Sequence, residues 1–579
     1  MRAAVWAPLA QRVRIVADGE QRDLVRDDLD WWHDDRELAL GTRYGFVLDD
    51  DSVSDPLPDP RSRSLPDGVH GLSQVVTTPE PLPWPGRELA GSVIYELHIG
   101  TFTRAGTLAH AIERLDDLVE LGIDFVEPLP VNGFNGERNW GYDGVAWYAV
   151  DDTYGGPHAY LHFVEQCHAR GLGVIQDVVY NHVGPSGNYL PRFGPYLDES
   201  GSTSWGANVN LAEPEVRRYV LDNARMWFET YGVDGLRLDA VHALVDPTPR
   251  HILSELSQQT DELRARLGRP LALIAESDLN DPVMIMPRES GGYGMTAQWS
   301  DDYHHAVHSA VTGETDGYYA DFASLGALAK AATRGFVHDG TFSSFRGRPH
   351  GAPIPPDVPT SRLVTFAQDH DQIGNRAEGD RLTEALSADR LAVAAVLNLC
   401  SPFTPMIFMG EEWAASTPWQ FFTGHPEPEL ATATAEGRIA EFAELGWDAD
   451  AVPDPQDPET FRRSHLDWGE REREPHRRIL TLHRELLALR RAEPDFANPR
   501  FDRLSSDFDD AARTLRLRIG SLDVLVNLGS RDWDAGPGRV LMATSALVVT
   551  PAAGSPSIVL PPDSAAVVRP AGDETLNIR

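Results

Sequence analysis

The chain has 579 residues and a formal net charge of −37, which comes from 88 acidic and 51 basic residues. A surface this negative repels nucleic acid and anionic membranes, so we expect neither as a partner. Hydrophobic residues make up 41% of the chain, as in globular proteins, and the length requires two to four domains. The sequence has no segment long enough to span a membrane, no signal-peptide pattern and only two cysteines, so we expect a cytoplasmic protein.

The two ends of the chain have the pattern of β-structure. Residues 1–88 hold short alternating segments such as "RVRIVADG" and "RYGFVLDD", and they end in the proline-rich "PEPLPWPGREL". This predicts an N-terminal β-sandwich. Residues 495–579 alternate again, for example in "LRLRIGSLDVLVNLG", and predict a C-terminal β-sandwich domain of antiparallel strands.

Between these ends, residues 89–494 alternate eight short apolar segments with helical patterns. The segments lie near residues 95, 125, 175, 236, 274, 297, 365 and 406. Eight strand–helix units predict a (β/α)8 TIM barrel, an α/β fold. The connections at about 181–212 and 300–360 are longer than ordinary, and we expect functional loop insertions there.

Polar side chains gather where four of the predicted strands end. In "GLRLDAVH" the leucines and the charged residues point to opposite faces of the strand. Because the carboxyl ends of barrel strands share one face, we expect these side chains to form one cleft. They are Asp177, Asn181, His182, Arg237, Asp239, His242, Glu276, Asp369, His370 and Asp371.

This set of groups suits glycoside hydrolysis, which needs one ionised and one protonated carboxyl group. Arg237 lies two residues from Asp239 on the same face and favours the ionised form of a nucleophile. Glu276 ends an apolar strand, where desolvation and other carboxylates raise the pKa of an acid/base. Asp371 is a third carboxylate suited to hold sugar hydroxyls. In "ERNWGYDGVAWY", Trp140 and Tyr142 offer aromatic faces for a sugar ring, with core packing as the alternative for each.

The segments "DVVYNH", "GLRLDAVH", "AES" and "DHD" resemble the four signature regions of the α-amylase superfamily, glycoside hydrolase family 13. The resemblance implies a retaining double displacement, with Asp239 as nucleophile, Glu276 as acid/base and Asp371 as transition-state stabiliser. It implies no metal and no organic cofactor. It also implies that further residues line the subsite of the cleaved sugar, namely Tyr142, Asp143, Asp177, His182, Arg237, His242 and His370.

Within this superfamily, segments such as "LPDPRSRSLPDGVHG", "TAQWSDDYHHAVHSAVTGETDGYY" and "MGEEWAASTPWQFFTGH" resemble the maltooligosyltrehalose trehalohydrolases. The resemblance implies cleavage of the α-1,4 bond next to a terminal trehalose unit. It also implies functional coupling to an enzyme that forms maltooligosyltrehalose, and an N-terminal module like a carbohydrate-binding module. The resemblance, together with the position after the sixth strand, implies contact with the trehalose through Trp299, Asp301, Asp302 or His304, with helix capping and packing as the alternative.

Other interpretations remain open at this point. A glucan branching enzyme or transglycosylase would have the same fold and carboxylates. A non-catalytic glycan-binding relative is disfavoured because Asp239, Glu276 and Asp371 are all present. His304 and His308 are four residues apart, as zinc ligands on a helix are, but the pattern lacks the glutamate of metalloproteases. Asp369 stands where the superfamily usually has Asn, which introduces another acid beside the cleft.

Overall fold

The structure is a computed structural model that describes residues 1–49, 55–203, 206–444, 452–550 and 557–571. Eight parallel strands form a closed barrel in its centre, in the order β1 to β8 around the ring. They are β1 Ile94–Leu97, β2 Phe125–Pro128, β3 Gly173–Val178, β4 Gly235–Leu238, β5 Ala272–Ala275, β6 Ala297–Trp299, β7 Leu363–Phe366 and β8 Thr404–Phe408. The predicted TIM barrel is confirmed.

The barrel strands alternate as their sequences predict. Leu236 and Leu238 of β4 pack in the large apolar cluster that includes the surrounding helices. Arg237 lies inside the barrel, beside Asp177 in the register of β3 and β4. The lower barrel interior is apolar, and Trp299 belongs to that cluster. The interior is therefore apolar below and charged towards the carboxyl ends of the strands.

Helices connect the strands and cover the barrel. Leu108–Ile112 begins with a side-chain cap from Thr107, and Ile252–Leu267 ends at the left-handed Gly268. The described α-helices are Ile99–Phe102, Leu108–Ile112, Leu115–Leu121, Gly156–Ala169, Leu190–Phe193, Pro214–Met226, Ile252–Leu267, Asp301–Thr312, Leu325–Arg334, His370–Gly374, Leu382–Ala385, Ala388–Leu399, Pro428–Glu444, Pro458–Arg463 and His476–Ala492. None of the helices in this part of the chain is long and apolar enough to cross a membrane.

The N-terminal region forms two antiparallel sheets that enclose buried Val13, Ile15 and Phe46. Their strands are Arg2–Trp6, Trp31–Glu37 and Val25–Arg26 in one sheet, and Glu20–Asp23, Val13–Ala17, Arg43–Leu48 and Ser73–Gln74 in the other. Arg61 joins this region to the barrel, since its guanidinium donates to Tyr148 Oη at 3.0 Å and to Asp222 Oδ2 at 2.9 Å.

The C-terminal region is a seven-stranded antiparallel sheet. Register shifts in Trp533–Ala543 accompany a bend that encloses Leu525, Ile558 and Leu560. The strands, in spatial order, are Leu504–Asp509, Thr514–Ile519, Leu522–Asn527, Ser564–Pro570, Trp533–Ala543, Ser557–Leu560 and Val548–Thr550. The domain limits at residues 88/89 and 494/495 stay predictions.

The two long connections contain secondary structure of their own. The connection at 181–212 carries the hairpin of Leu197–Thr203 and Gly206–Val209. Much of 300–360 is helical rather than loop, because Asp301–Thr312 and Leu325–Arg334 lie in it. Two smaller hairpins pair Phe342–Ser343 with Arg348–Pro349, and Asn132–Gly133 with Ala146–Val150.

Candidate active site

Arg237 of β4 is the central charge of the site and is fully buried. Its Nη1 donates to the two carboxylate oxygens of Asp177 at 2.9 and 2.8 Å and to Asp239 Oδ1 at 2.9 Å. Its Nη2 lies 3.8 Å from Glu276 Oε2, and the guanidinium lies 4.3 Å from the ring centre of Trp299. A buried cation needs such partners because desolvation alone costs several kcal/mol. Arg237 therefore organises the carboxylates and has no surface to offer a sugar.

Asp239 follows β4 directly and reaches the floor of the cleft, with 12% of its side chain exposed. Asn181 Nδ2 donates to Asp239 Oδ2 at 2.8 Å and to its backbone oxygen at 2.9 Å. Arg237 donates to the other carboxylate oxygen. Each carboxylate oxygen thus has one fixed donor, which stabilises the negative charge and orients the group.

Ala240, next to Asp239, has a left-handed backbone with φ 37° and ψ 52°. This conformation costs energy for any residue with a Cβ atom, and such strain is characteristic of functional sites. It directs the backbone N–H of Ala240 to the carboxylate of Glu276. The chain after β4 therefore positions the second carboxyl group as well as the first.

Glu276 follows β5, and only 14% of its side chain is exposed. Burial raises the pKa of this carboxyl group, Arg237 lowers it, and the nearby Asp239 and Asp371 raise it again, to about 8 in all. Glu276 is therefore protonated at neutral pH. A carboxyl group that keeps its proton at neutral pH is what a general acid requires.

Asp371 is the most exposed of the three candidate catalytic residues, with 44% of its side chain accessible. His370 Nε2 lies 3.7 Å from Asp371 Oδ1, and His370 Nδ1 lies 2.6 Å from Glu96 Oε1. Burial lowers the pKa of His370, but Glu96 and Asp371 outweigh it and raise the pKa to about 10. The imidazole is therefore a fixed cation beneath Asp371, anchored from β1.

Tyr142 contacts both Asp177 and His370 in the same cleft. Its hydroxyl donates to Asp177 Oδ2 at 2.7 Å, and its ring stacks on His370 with centres 5.0 Å apart. Burial raises the pKa of Asp177 to about 6, since Arg237 opposes that shift only in part. Asp143 accepts from Asn139 Nδ2 at 2.6 Å. These bonds fix the Tyr142 ring at the edge of the cleft.

The two other predicted histidines differ in their surroundings. Both ring nitrogens of His182 face protein atoms, Asn181 Oδ1 and the backbone oxygen of Tyr142. His182 thus contributes to the position of Asn181, the donor to Asp239. His242 is more exposed, and its Nδ1 lies 3.7 Å from Asp278 Oδ1. The structure places His242 and Asp278 together just beyond Glu276.

Three of the predicted trehalose contacts need correction. Trp299, Asp302 and His304 are buried inside the protein, so they offer no surface to a substrate. Trp299 packs under Arg237 because β6 directs it into the barrel. Asp302 accepts from Asn280 Nδ2 at 2.8 Å and from the backbone of Val337 and His338, both at 2.7 Å.

The packing alternative holds for His304 too, because its Nδ1 lies 2.8 Å from the backbone oxygen of Ala367. His308 Nε2 lies 2.8 Å from Glu314 Oε2, so both histidines face protein atoms. Asp301 is only partly buried, and burial followed by the charge of Glu276 raises its pKa well above the usual range. Of the four predicted contacts, Asp301 alone stays beside the cleft. Across the described ranges, no group of three or more His, Cys, Asp or Glu side chains is arranged to hold a metal ion.

The sequence interpretation missed one functional side chain, Glu96, and placed Asn181 in the cleft without assigning it a role. Glu96 holds His370, and Asn181 holds Asp239. Glu96 carried a signal, since it is an acid within an apolar strand, as Arg237 is. Asp369 is buried and caps the helix His370–Gly374 through a bond from the Gln372 N–H. Burial and Glu96 raise the pKa of Asp369 well above the usual range.

Comparison with known proteins agrees with this geometry. Residues 62–201 match the family model of the alpha-amylase catalytic domain. A crystal structure of a putative alpha amylase from Salmonella typhimurium aligns with a TM-score of 0.89 and 36% identity, and the alignment covers 98% of this chain and 97% of that one.

Similarity also extends along almost the whole sequence of characterised relatives. A malto-oligosyltrehalose trehalohydrolase from Rhizobium sp. (strain M-11) is 55% identical, with 98% of this chain and 97% of the relative aligned. One from Mycobacterium tuberculosis is 53% identical, with 91% and 92% aligned. With this identity over nearly its full length and the carboxylates gathered at the barrel mouth, the chain belongs to the malto-oligosyltrehalose trehalohydrolase family.

Proposed function

We propose that this protein hydrolyses the α-1,4-glucosidic bond next to the terminal trehalose unit of maltooligosyltrehalose. It releases trehalose and a maltooligosaccharide, with retention of configuration. The observation that carries the chemistry is the contrast between Asp239, whose two carboxylate oxygens accept from Arg237 and Asn181, and Glu276, whose pKa is raised to about 8 by burial and acidic neighbours. The choice of trehalose as leaving group is supported by the names of the relatives.

The reaction has two steps. Glu276 gives its proton to the glycosidic oxygen while Asp239 attacks the anomeric carbon, so that trehalose leaves and a glycosyl–Asp239 ester forms. The Glu276 carboxylate then removes a proton from water, which attacks the same carbon and frees the maltooligosaccharide. One guanidinium contacts both carboxyl groups, and this favours the short separation of a retaining enzyme.

The other side chains have supporting roles. Asp371 is exposed enough to accept hydrogen bonds from hydroxyl groups of the sugar in the cleft, and the cationic His370 holds its charge in place. Tyr142 presents its ring to that sugar. Arg237, Asp177 and His182 act on the catalytic carboxylates and on Tyr142, not on substrate. His242 and Asp301 are proposed to line the side of the leaving trehalose.

Product analysis tests this proposal. Maltotriosyltrehalose and amylose are incubated separately with the enzyme, and products are separated by anion-exchange chromatography. Trehalose and maltotriose in equal amounts are expected from the first substrate. Asp239→Ala is expected to lower turnover by about four orders of magnitude. New α-1,6 branches on amylose without release of trehalose would instead support a glucan branching enzyme.

The cellular setting remains a prediction. We propose a cytoplasmic enzyme that is coupled functionally to one that forms maltooligosyltrehalose. Cys167 and Cys400 are both free and buried, as expected in a reducing compartment.

A further inference from the structure

The two sides of the cleft are built from different parts of the chain. Glu276 and Asp301 follow β5 and β6, so the leaving trehalose occupies that side. The strands β1, β2 and β8 lie on the opposite side of the ring, and Tyr142 follows β2. In the proposed reaction, the maltooligosyl part of the bound substrate therefore extends out of the catalytic cleft past Tyr142 and Asp143. We call this the donor side.

A cluster of polar side chains lies on the donor side, and we call it the His70 cluster. It consists of His70, Asn135, Ser186, Tyr189 and Glu427. Glu427 Oε1 accepts from Asn135 Nδ2 at 3.0 Å and from Ser186 Oγ at 2.7 Å. His70 Nδ1 lies 2.6 Å from Tyr189 Oη, and His70 Nε2 lies 4.0 Å from Glu427 Oε1. The cluster joins loops after β2, β3 and β8 to the N-terminal region.

The His70 cluster continues into the catalytic cleft through His425, whose Nε2 lies 4.0 Å from Asp143 Oδ2. The His425 side chain is buried, and its Nδ1 has no hydrogen-bond partner among the described residues. Within the same ranges, Glu427 Oε2 also lacks a partner. Buried polar atoms normally have partners, so these two unpaired atoms leave the polar region between Asp143 and the His70 cluster incompletely satisfied.

The N-terminal region holds His70 firmly against the barrel. A Cβ atom on Gly187 would lie only 2.4 Å from Cγ2 of Val69, the residue before His70. The loop after β3 therefore packs so closely against the loop of His70 that only glycine fits at position 187. Tyr219 Oη donates to the backbone oxygen of Pro60 at 2.8 Å, and Arg61 is bound on the same barrel face. His70 is therefore preorganised although its side chain is 49% exposed.

The chemistry of the His70 cluster fits a neutral polyol. Its members supply an amide, a hydroxyl, an imidazole, a phenol ring and a carboxylate, which together offer donors and acceptors to sugar hydroxyl groups. The cluster contains no Lys or Arg side chain, and His70 is its only member that could carry a positive charge. Glu427 and the nearby Asp143 would repel an anion. A glucan chain matches both the chemistry and the position.

We propose that the His70 cluster is a distal subsite for the maltooligosyl part of the substrate, to which the N-terminal region contributes His70. The inference rests on the proposed function, which defines the donor side. It assigns the N-terminal region a direct part in chain-length preference. Longer chains reach His70, whereas the shortest substrate fills the catalytic cleft alone.

The first test measures binding without turnover. Calorimetric titration of maltopentaose into the inactive Glu276→Gln protein is compared with titration into Glu276→Gln with His70→Ala. We expect the second substitution to weaken binding about fivefold to tenfold, as loss of a sugar contact does. His33→Ala is the matched control, because His33 belongs to the same N-terminal region and is also 49% exposed. Equal affinity of the His70→Ala and His33→Ala proteins would overturn the proposal.

The second test uses kinetics. The ratio of kcat/KM for maltopentaosyltrehalose to that for glucosyltrehalose is expected to fall about fivefold to tenfold in His70→Ala, through KM. Glu427→Gln is expected to lower the same ratio, and an unchanged ratio in both variants would contradict the subsite. Failure of the wild-type protein to release trehalose from any substrate would instead refute the proposed function, and the titration with maltopentaose would still judge the subsite.

Discussion

We propose different catalytic roles for Asp239 and Glu276 because their immediate neighbours differ. Asp239 receives one hydrogen bond from Arg237 and one from Asn181, so its negative charge is stabilised. Glu276 receives a backbone hydrogen bond from Ala240, but it is buried near the charges of Asp239 and Asp371. The nearest Glu276–Arg237 contact, at 3.8 Å, is longer than the Asp239 contact at 2.9 Å. Burial raises the pKa of Glu276 more than Arg237 lowers it, which suits this group to the acid role that we propose.

The raised pKa of Glu276 predicts the alkaline limit of activity. The first step needs the protonated acid. On the alkaline limb of the pH profile, kcat/KM should therefore stay constant up to about pH 8 and fall about tenfold per pH unit above it. Removal of the neighbouring carboxylate by Asp371→Asn should lower the pKa of Glu276 and shift the limit of the residual activity to lower pH. Both profiles are measured with maltotriosyltrehalose, and circular dichroism checks that the protein stays folded. A limit near pH 5 in the wild type would contradict this assignment of the acid.

At the scale of elements, the site depends on how each barrel strand ends. β4 ends at Leu238, and Ala240, two residues later, has a left-handed backbone that directs its N–H to Glu276, the residue after β5. The neighbouring strand ends are therefore coupled through backbone, not only through side-chain charges. The strain at Ala240 is maintained by the surrounding structure.

Substitution of Ala240 tests this coupling. Ala240→Val places a β-branched side chain in the left-handed region and should lower the free energy of unfolding by about 1–3 kcal/mol. It should also lower kcat, because the N–H turns away from Glu276. Ala240→Gly accepts the same φ and should have the smaller effect on both quantities. Denaturant titration and steady-state kinetics provide the measurements, and a Val variant as stable as the wild type would argue against stored strain.

Much of this element-scale arrangement could be predicted from sequence. Each barrel strand is a short apolar segment, and a charged residue that interrupts one, such as Arg237 or Glu96, faces the barrel interior. The neutral Gln176 of β3 instead faces outward and accepts from Tyr160 Oη. For residues 299–304, the sequence could not decide between a role in the core and a role in sugar binding. In "WSDDYHHAVH", an aromatic ring and a histidine suit both a protein core and a sugar-binding site. The hydrogen-bond donors that satisfy the buried Asp302 carboxylate lie 22, 35 and 36 residues away in the sequence. The roles assigned to the three carboxylates stay predictions until they are tested.

At the scale of the whole molecule, the cleft is assembled from regions far apart in the chain. The side of the leaving group comes from segments after β5 and β6, and the donor side joins the N-terminal region to loops after β2, β3 and β8. The domain order was predictable from changes of periodicity, but the contact of His70 with Tyr189 spans 119 residues and had no local signal. The N-terminal region is therefore part of the substrate-binding architecture in our proposal.

The most direct test of the account is the anomeric configuration of the first product. Proton NMR follows the hydrolysis of maltotriosyltrehalose at high enzyme concentration, before mutarotation of the new reducing end. The account predicts that α-maltotriose appears first, together with an equal amount of trehalose, because Asp239 and then water each invert the same carbon. Initial appearance of β-maltotriose would show a single displacement and would contradict the assignment of Asp239 as nucleophile.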